Sequence, residues 1–247
     1  MKLNKVDPKF NLKSNPRIGL IALGSDFRIE KDFNNVIYGR DIDLYVNRIH
    51  CYNPLTNETL AKMSEDITKV TEDILPDQKI DCVAYGCTSG TVAAGYDKIK
   101  EKVNLAKPEA KVTTPITAAI KALKKLGINK ISIFTPYTKK INDSVVSYFE
   151  KENVIINSLT YFDIDSDLDI GKVDEDYLFE VLSKINLENS EALFISCTAL
   201  PALSIIEKLE EKLNKVVLSS NQTLIWDSLN QVNYKEKIEG FGKLFNS

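Results

Sequence analysis

The chain has 247 residues, 43% of them hydrophobic, enough to bury one large core or two modest ones. Its net charge of −3 gives no general pull toward nucleic acid or an anionic membrane surface, so the expected partner is a small molecule. The opening stretch, residues 1–16, carries lysines without the apolar core of a signal peptide, no run approaches the roughly 18 apolar residues of a membrane span, and the four cysteines lack the dense spacing of a disulfide framework. Reduced thiols in the cytoplasm are the expectation.

In chain order, apolar runs that read as buried parallel strands alternate with helical patterns. RIGLIAL (17–23) is followed by VNRIHCY (46–52), a helix over Asn57 to Leu75, and IDCVAYG (80–86) leading to a helix after Cys87. The series restarts with KVTT (111–114), a helix near Ile116 to Leu126 that Gly127 closes as a C-cap, and KISIFTP (130–136). Then come a helix to about Glu152, VIINSLTYF (154–162), a helix from Asp174, ALFIS (192–196), a helix to Leu213, and KVVLSS (215–220). Such alternation predicts an α/β fold with crossover helices on both faces of mostly parallel sheets.

The second pass repeats the first. DCVAYGCTSGTVA around Cys87 matches EALFISCTALPAL around Cys197; RIGLIALGSD matches KISIFTPYT, and KVTTPIT matches KVVLSSNQT. Asp26 stands about sixty residues ahead of Cys87, and Tyr137 about sixty ahead of Cys197. The pattern predicts two pseudo-symmetric domains with a shared site in the cleft between them: residues 1–112 with 219–247 around Cys87, and 113–218 around Cys197.

Each Cys-Thr pair reads as a strand delivering a thiol to a helix N-terminus, where unpaired N–H groups and the positive end of the helix dipole favour thiolate. Thr88, Ser89 and Gly90 add hydroxyls and close backbone approach, suited to a carboxylate or enolate oxygen; Thr198 stands in the corresponding place after Cys197. A lone cysteine is most often a small core residue, and that reading stands for Cys51 and Cys82. For Cys87 and Cys197 the matched duplication outweighs it.

Other chemistry has less support. His50, the only histidine, reads as packing at a strand end, and C-x4-C at 82 to 87 fits no common zinc pattern. There is no G-x-G-x-x-G and no G-K-[ST] loop, so neither metal nor nucleotide cofactor is expected. Asp26, at the C-terminal edge of the first strand, is equally a ligand group or a helix cap. Tyr137 is placed to donate to a substrate carboxylate, and Arg40 and Arg48 are candidate carboxylate clamps whose surface or ion-pair roles are the simpler reading. Asn221 and Gln222 are candidate lining amides, and Trp226 reads as core.

CTSGTVAAG (87–95), FTPY (134–137), SCTALPAL (196–203) and SSNQTLIWD (219–227) together resemble the aspartate/glutamate racemase superfamily. The nearest branch holds maleate cis-trans isomerase, arylmalonate decarboxylase and the ectoine-utilisation protein A type, and the resemblance runs from about Arg17 to Asp227. It implies two α/β domains, no metal or organic cofactor, Cys87 and Cys197 facing each other across a small carboxylate, Thr88 and Ser89 holding a carboxylate, and Tyr137 assisting. Maleate isomerases carry Asn after the first strand where this chain has Asp26 in GSDFRIEKDF, a stretch closest to the ectoine-utilisation type. A carboxylate there repels a dianion and suits an ammonium group, as the equivalent Asp does in the amino-acid racemases. Decarboxylases of the branch have Gly at the first cysteine position, so Cys87 weighs against that chemistry.

The expected activity is therefore a cofactor-independent, two-thiol isomerase of maleate-isomerase or amino-acid-racemase type. A decarboxylase or lyase comes second, and a non-enzymatic carboxylate-binding protein third. A homo-oligomer, dimer or tetramer, is left open.

Overall fold

Apolar runs buried on both faces form the centre of each of two sheets, in a computed structural model that describes residues 1, 3–10 and 14–247. Lys2 and residues 11–13, part of the lysine-bearing opening stretch, lie outside the described residues. The first sheet is built from β1 (Arg17–Leu23), α1 (Ile29–Ile37), β2 (Asp43–Ile49), α2 (Asn57–Lys62), α3 (Ile67–Glu72), β3 (Cys82–Tyr85), α4 (Thr88–Ala94), α5 (Tyr96–Ala106) and β4 (Lys111–Thr113). The second follows with α6 (Pro115–Leu126), β5 (Lys130–Thr135), α7 (Lys139–Lys151), β6 (Ile155–Tyr161), α8 (Asp167–Gly171), α9 (Glu175–Leu182), β7 (Ala192–Ile195), α10 (Ile206–Leu213) and β8 (Val216–Ser219), and α11 (Ser220–Gln231) closes the series.

The strand orders are β2-β1-β3-β4 and β6-β5-β7-β8, every pairing is parallel, and the two orders are the same topology traversed twice. The duplication legible in the sequence is thus a duplication of fold. Helices α6 and α11, which follow the equivalent edge strands, pack against each other, and α11 also rests on β3 and β4. Among the described residues no helix is long and apolar enough to cross a membrane.

Several elements depart from the sequence expectation, α8 and the split of the helix after Cys87 into α4 and α5 among them. The single helix over 57–75 is α2 and α3 joined by a 3-10 turn at Met63–Asp66, where the Ser64 hydroxyl donates back to Ala61 O at 2.7 Å, and it stops at Glu72, shortly before Pro76. Strand β2 pairs with β1 from Asp43 to Ile49 rather than running from Val46 to Tyr52, because a half-buried edge strand carries no continuous apolar run to mark it. Helix α1 was not expected at all; it buries Ile29, Phe33, Val36 and Ile37, one face at helical spacing, under a polar remainder.

One buried carboxylate ties the two sheets' helices together. Asp227 of α11 accepts from Thr113 Oγ1 at 2.6 Å at the end of β4 and from Lys121 Nζ at 2.7 Å on α6. Asp227→Ala leaves the Thr113 hydroxyl and the Lys121 ammonium without their shared acceptor. It is expected to lower stability by about 2–4 kcal/mol in urea unfolding. Lys121→Ala, whose side chain is partly solvated, should cost about 1 kcal/mol or less. Equal losses for the two variants, or no loss for Asp227→Ala, would contradict this account.

Candidate active site

In each sheet the strand order reverses between the first and third strands, and ligands of open α/β sheets collect at the carboxyl ends of strands at such a reversal. Asp26 and Cys87 leave that crevice after β1 and β3; Tyr137 and Cys197 leave the matching crevice after β5 and β7. All four side chains are buried, the two cysteines at 3% and 5% exposure.

Cys87 is the N-cap of α4, and its Sγ accepts the Gly90 N–H at 3.2 Å, with Ser89 Oγ at 3.9 Å. A Cβ at Gly90 would stand 2.8 Å from that sulfur and 2.9 Å from Tyr85 Oη, so the close approach requires glycine. The helix terminus does act on the thiol, but burial outweighs it and pushes the Cys87 thiol well up. Burial thus opposes the thiolate that the helix terminus favours.

Cys197 departs further from expectation, since no helix begins there. Its backbone lies at φ +102°, the chain bends through Pro201, and a 3-10 turn at Leu203–Ile205 intervenes before α10. In place of a helix terminus the Ala199 N–H and the Tyr137 phenol lie near enough to favour the thiolate, but burial outweighs them and raises its pKa well above the usual range. Tyr137 sits within electrostatic reach of both sulfurs, its own pKa raised mainly by burial.

The two cysteine loops are held to each other by a residue the sequence reading passed over. Ser220 Oγ accepts the Cys197 N–H at 3.0 Å and shares a 2.8 Å hydrogen bond with Thr88 Oγ1, so the Thr88 hydroxyl expected to hold a ligand is already engaged. Thr198 Oγ1 donates to Gly86 O at 3.2 Å, the reciprocal strap. Asn221 Nδ2 donates to Thr198 O at 2.8 Å and to Asp32 Oδ2 at 2.7 Å, bringing in α1. Gln222 instead donates to Phe241 O at 2.6 Å, fastening the C-terminal segment.

Three carboxyl groups surround this junction. Asp26 Oδ1 accepts from Arg28 N at 2.7 Å and Ile29 N at 3.0 Å, the cap role, while its Oδ2 is buried without a partner. Asp167, at the start of α8, accepts from Ser25 Oγ at 2.5 Å, and its N–H donates to Asn53 Oδ1 at 3.2 Å; burial lifts its carboxyl to about 6. Asp32 is lifted to about 7, chiefly by burial and further by the nearby Asp26. Nothing in DIDSDLDIGK distinguished Asp167 from a solvated acidic turn; only the tertiary approach of α8 to the loop after β1 does so.

The arginines do not line the cleft as clamps. Arg48 donates to Leu23 O at 3.0 Å and Asp26 O at 2.6 Å and pairs with Glu30, and Arg40 donates to Val36 O and Tyr38 O. His50 is exposed and packs edge-on against Tyr52, and Trp226 is half-buried. Cys51, half-buried, lies near Asp167, Asp26 and Ser25, and its thiol is pushed up to about 11, mainly by burial; Cys82 is sealed in β3. Among the described residues no three His, Cys, Asp or Glu side chains are grouped to hold a metal ion.

The arylmalonate decarboxylase family profile matches residues 54–245. A maleate isomerase of Geobacillus stearothermophilus is 25% identical over 93% of this chain and 97% of its own, and an arylmalonate decarboxylase of Bordetella bronchiseptica is 24% identical over 54% and 57%. Among solved structures, a mutant Nocardia farcinica maleate cis-trans isomerase with a covalently bound succinylcysteine intermediate superposes with a TM-score of 0.86 at 19% identity, covering 94% of this chain and 98% of that one.

Asp32 makes folding pH-dependent in a defined direction. Its carboxyl rises from 3.8 to about 7 on folding, so the native state keeps a proton that the unfolded chain releases, and stability is lost as pH climbs from 3.8 through 7. Asp32→Asn keeps an acceptor for Asn221 and removes the titration. Discounted for partial exposure, the variant should gain ~1–2 kcal/mol on wild type between pH 4.5 and 8. Melting curves of the two proteins that stay parallel over that range would contradict the assignment.

Proposed function

The chain belongs to the arylmalonate decarboxylase family, and from that membership and the site's geometry we propose that it is a cofactor-independent isomerase or racemase using Cys87 and Cys197 on a small carboxylate. The observation that carries this reading is the pair of buried thiols delivered from equivalent strands of two like-ordered sheets, with Tyr137 beside both. A decarboxylase built on one thiol has no use for the second, and a passive carboxylate-binding site has no use for either. The curated relatives matched over most of their length are maleate isomerases, and the succinylcysteine in the Nocardia enzyme supports sulfur as the reacting atom on this scaffold.

Two opposed thiols perform both bond changes with the same parts. In racemisation one thiolate takes the Cα proton, the electron pair moves into the carboxylate as an enolate, and the other thiol returns a proton to the opposite face. The two sulfurs exchange protonation states and no net proton is lost. In cis-trans isomerisation the thiolate of Cys87 adds to the double bond and the Cys197 thiol protonates the adjacent carbon; after rotation about the new single bond that proton is withdrawn and the C–S bond breaks. Both need a thiolate, which burial disfavours in the ligand-free protein while the Ala199 N–H and the Tyr137 phenol act in the opposite direction at Cys197. Thr88, Ser89 and Thr198 shape the cradle, Ser89 with its hydroxyl directed at the Cys87 sulfur and the two threonines by fixing the loops.

Cys87→Ala and Cys197→Ala are each expected to lower kcat by about a hundredfold or more while the melting temperature stays near wild type. The assay is an NMR screen in heavy water over maleate, aspartate, glutamate, N-acyl amino acids and arylmalonates. Exchange at Cα marks a racemase, fumarate an isomerase and bicarbonate a decarboxylase. Either variant turning over near the wild-type rate would remove the two-thiol mechanism.

A further inference from the structure

Tyr85, the last residue of β3, is fully buried, and among the described residues its Oη has no hydrogen-bond partner. A phenylalanine fills the same space without stranding a hydroxyl, and buried hydroxyls in folded proteins are nearly always paired. What the Oη faces is the sulfur of Cys87. A tight turn at Gly86, closed by the Cys87 N–H on Tyr85 O at 3.0 Å, folds the two residues together, and the first turn of α4 lays Gly90 against both side chains. One point, the place a Cβ would take on Gly90, lies 2.8 Å from Cys87 Sγ and 2.9 Å from Tyr85 Oη.

The strand registers show why a phenol comes from here. Ile18 pairs with Cys82 in the first sheet as Ile131 pairs with Ala192 in the second, so Gly24 stands where the second half has Tyr137, and Ile195 stands where the first half has Tyr85. Each half keeps one phenol, carried by a different strand. Tyr137 acts on Cys197, whereas Cys87 has the Gly90 N–H at 3.2 Å and the Ser89 hydroxyl at 3.9 Å.

Resting on the two-thiol reading above, we propose that Tyr85 is the counterpart of Tyr137 for Cys87, a positioning residue whose hydroxyl donates to the sulfur when the thiolate forms. A neutral thiol is a weak acceptor and leaves the phenol unengaged. A thiolate is a full charge in a site that excludes water, and it draws the donor lying across Gly90. Burial first, then the charges of Cys87 and Cys51, hold the phenol's pKa well above its ordinary value, so it keeps its proton and acts as a donor throughout.

The test needs no substrate. Wild type, Tyr85→Phe and Tyr137→Phe, each as the full chain, are alkylated with iodoacetamide over a range of pH, and every cysteine is followed separately by peptide mass. Tyr85→Phe is expected to lower the rate at Cys87 relative to Cys197 by about tenfold, the equivalent of one pKa unit, and Tyr137→Phe to move the same ratio the other way. The ratio of two sites in one protein cancels a change in overall exposure. Because the hydroxyl is unpaired in the ligand-free protein, Tyr85→Phe should also keep the wild-type melting temperature. A ratio that holds or rises in Tyr85→Phe, a slowing at Cys51 in place of Cys87, a Cys87 unreactive in wild type, or a melting temperature lowered by several degrees overturns the proposal. The turnover of Cys87→Ala and Cys197→Ala judges the two-thiol reading by itself, so the two failures are told apart.

Discussion

The loops that carry the two thiols are joined through a buried hydroxyl, that of Ser220. It takes the backbone N–H of Cys197 and meets the side chain of Thr88, the residue after Cys87, so one atom at the first turn of α11 touches both loops, and the Thr198 hydroxyl on Gly86 O is the second tie between them. The position follows from chain path: β8 ends in Ser219, which caps α11 by accepting the Gln222 N–H at 3.2 Å, and the helix then leaves the second sheet to rest on β3 and β4 of the first. A helix shared between the sheets joins two halves, each a modest fold, at the loops that carry the thiols. Buried hydroxyls at such a junction need partners with good geometry, and a network in which each supplies the other resists small distortions better than contacts made singly.

The second organising constraint is desolvation. Low exposure raises the pKa of both thiols and of Asp26, Asp32 and Asp167 together.

The sequence was informative where burial writes a continuous signal. β1, β3, β5 and β7 are central strands covered on both faces, so each reads as an apolar run, and the Cys-Thr pair that follows β3 and β7 is visible because it recurs. Edge strand β2 and amphipathic α1 carry mixed polarity and were displaced or missed. The symmetry itself misled at Cys197: the motif matched, but Pro201 and a positive φ replaced the helix that follows Cys87. Ser220, Asp32 and Asp167 have ordinary local contexts and acquire their place from contacts across more than a hundred residues of chain or from the approach of another element.

The sealed state of the thiols also bears on the chemistry the molecule avoids. Sulfur reacts with peroxide and with electrophiles as thiolate, and climbs from sulfenic toward irreversible acids only where it is both ionised and reachable. Cys87 and Cys197, neutral and covered, sit on the lowest rung while the cleft is empty. The desolvation that raises their pKa therefore also lowers the thiolate fraction open to oxidation.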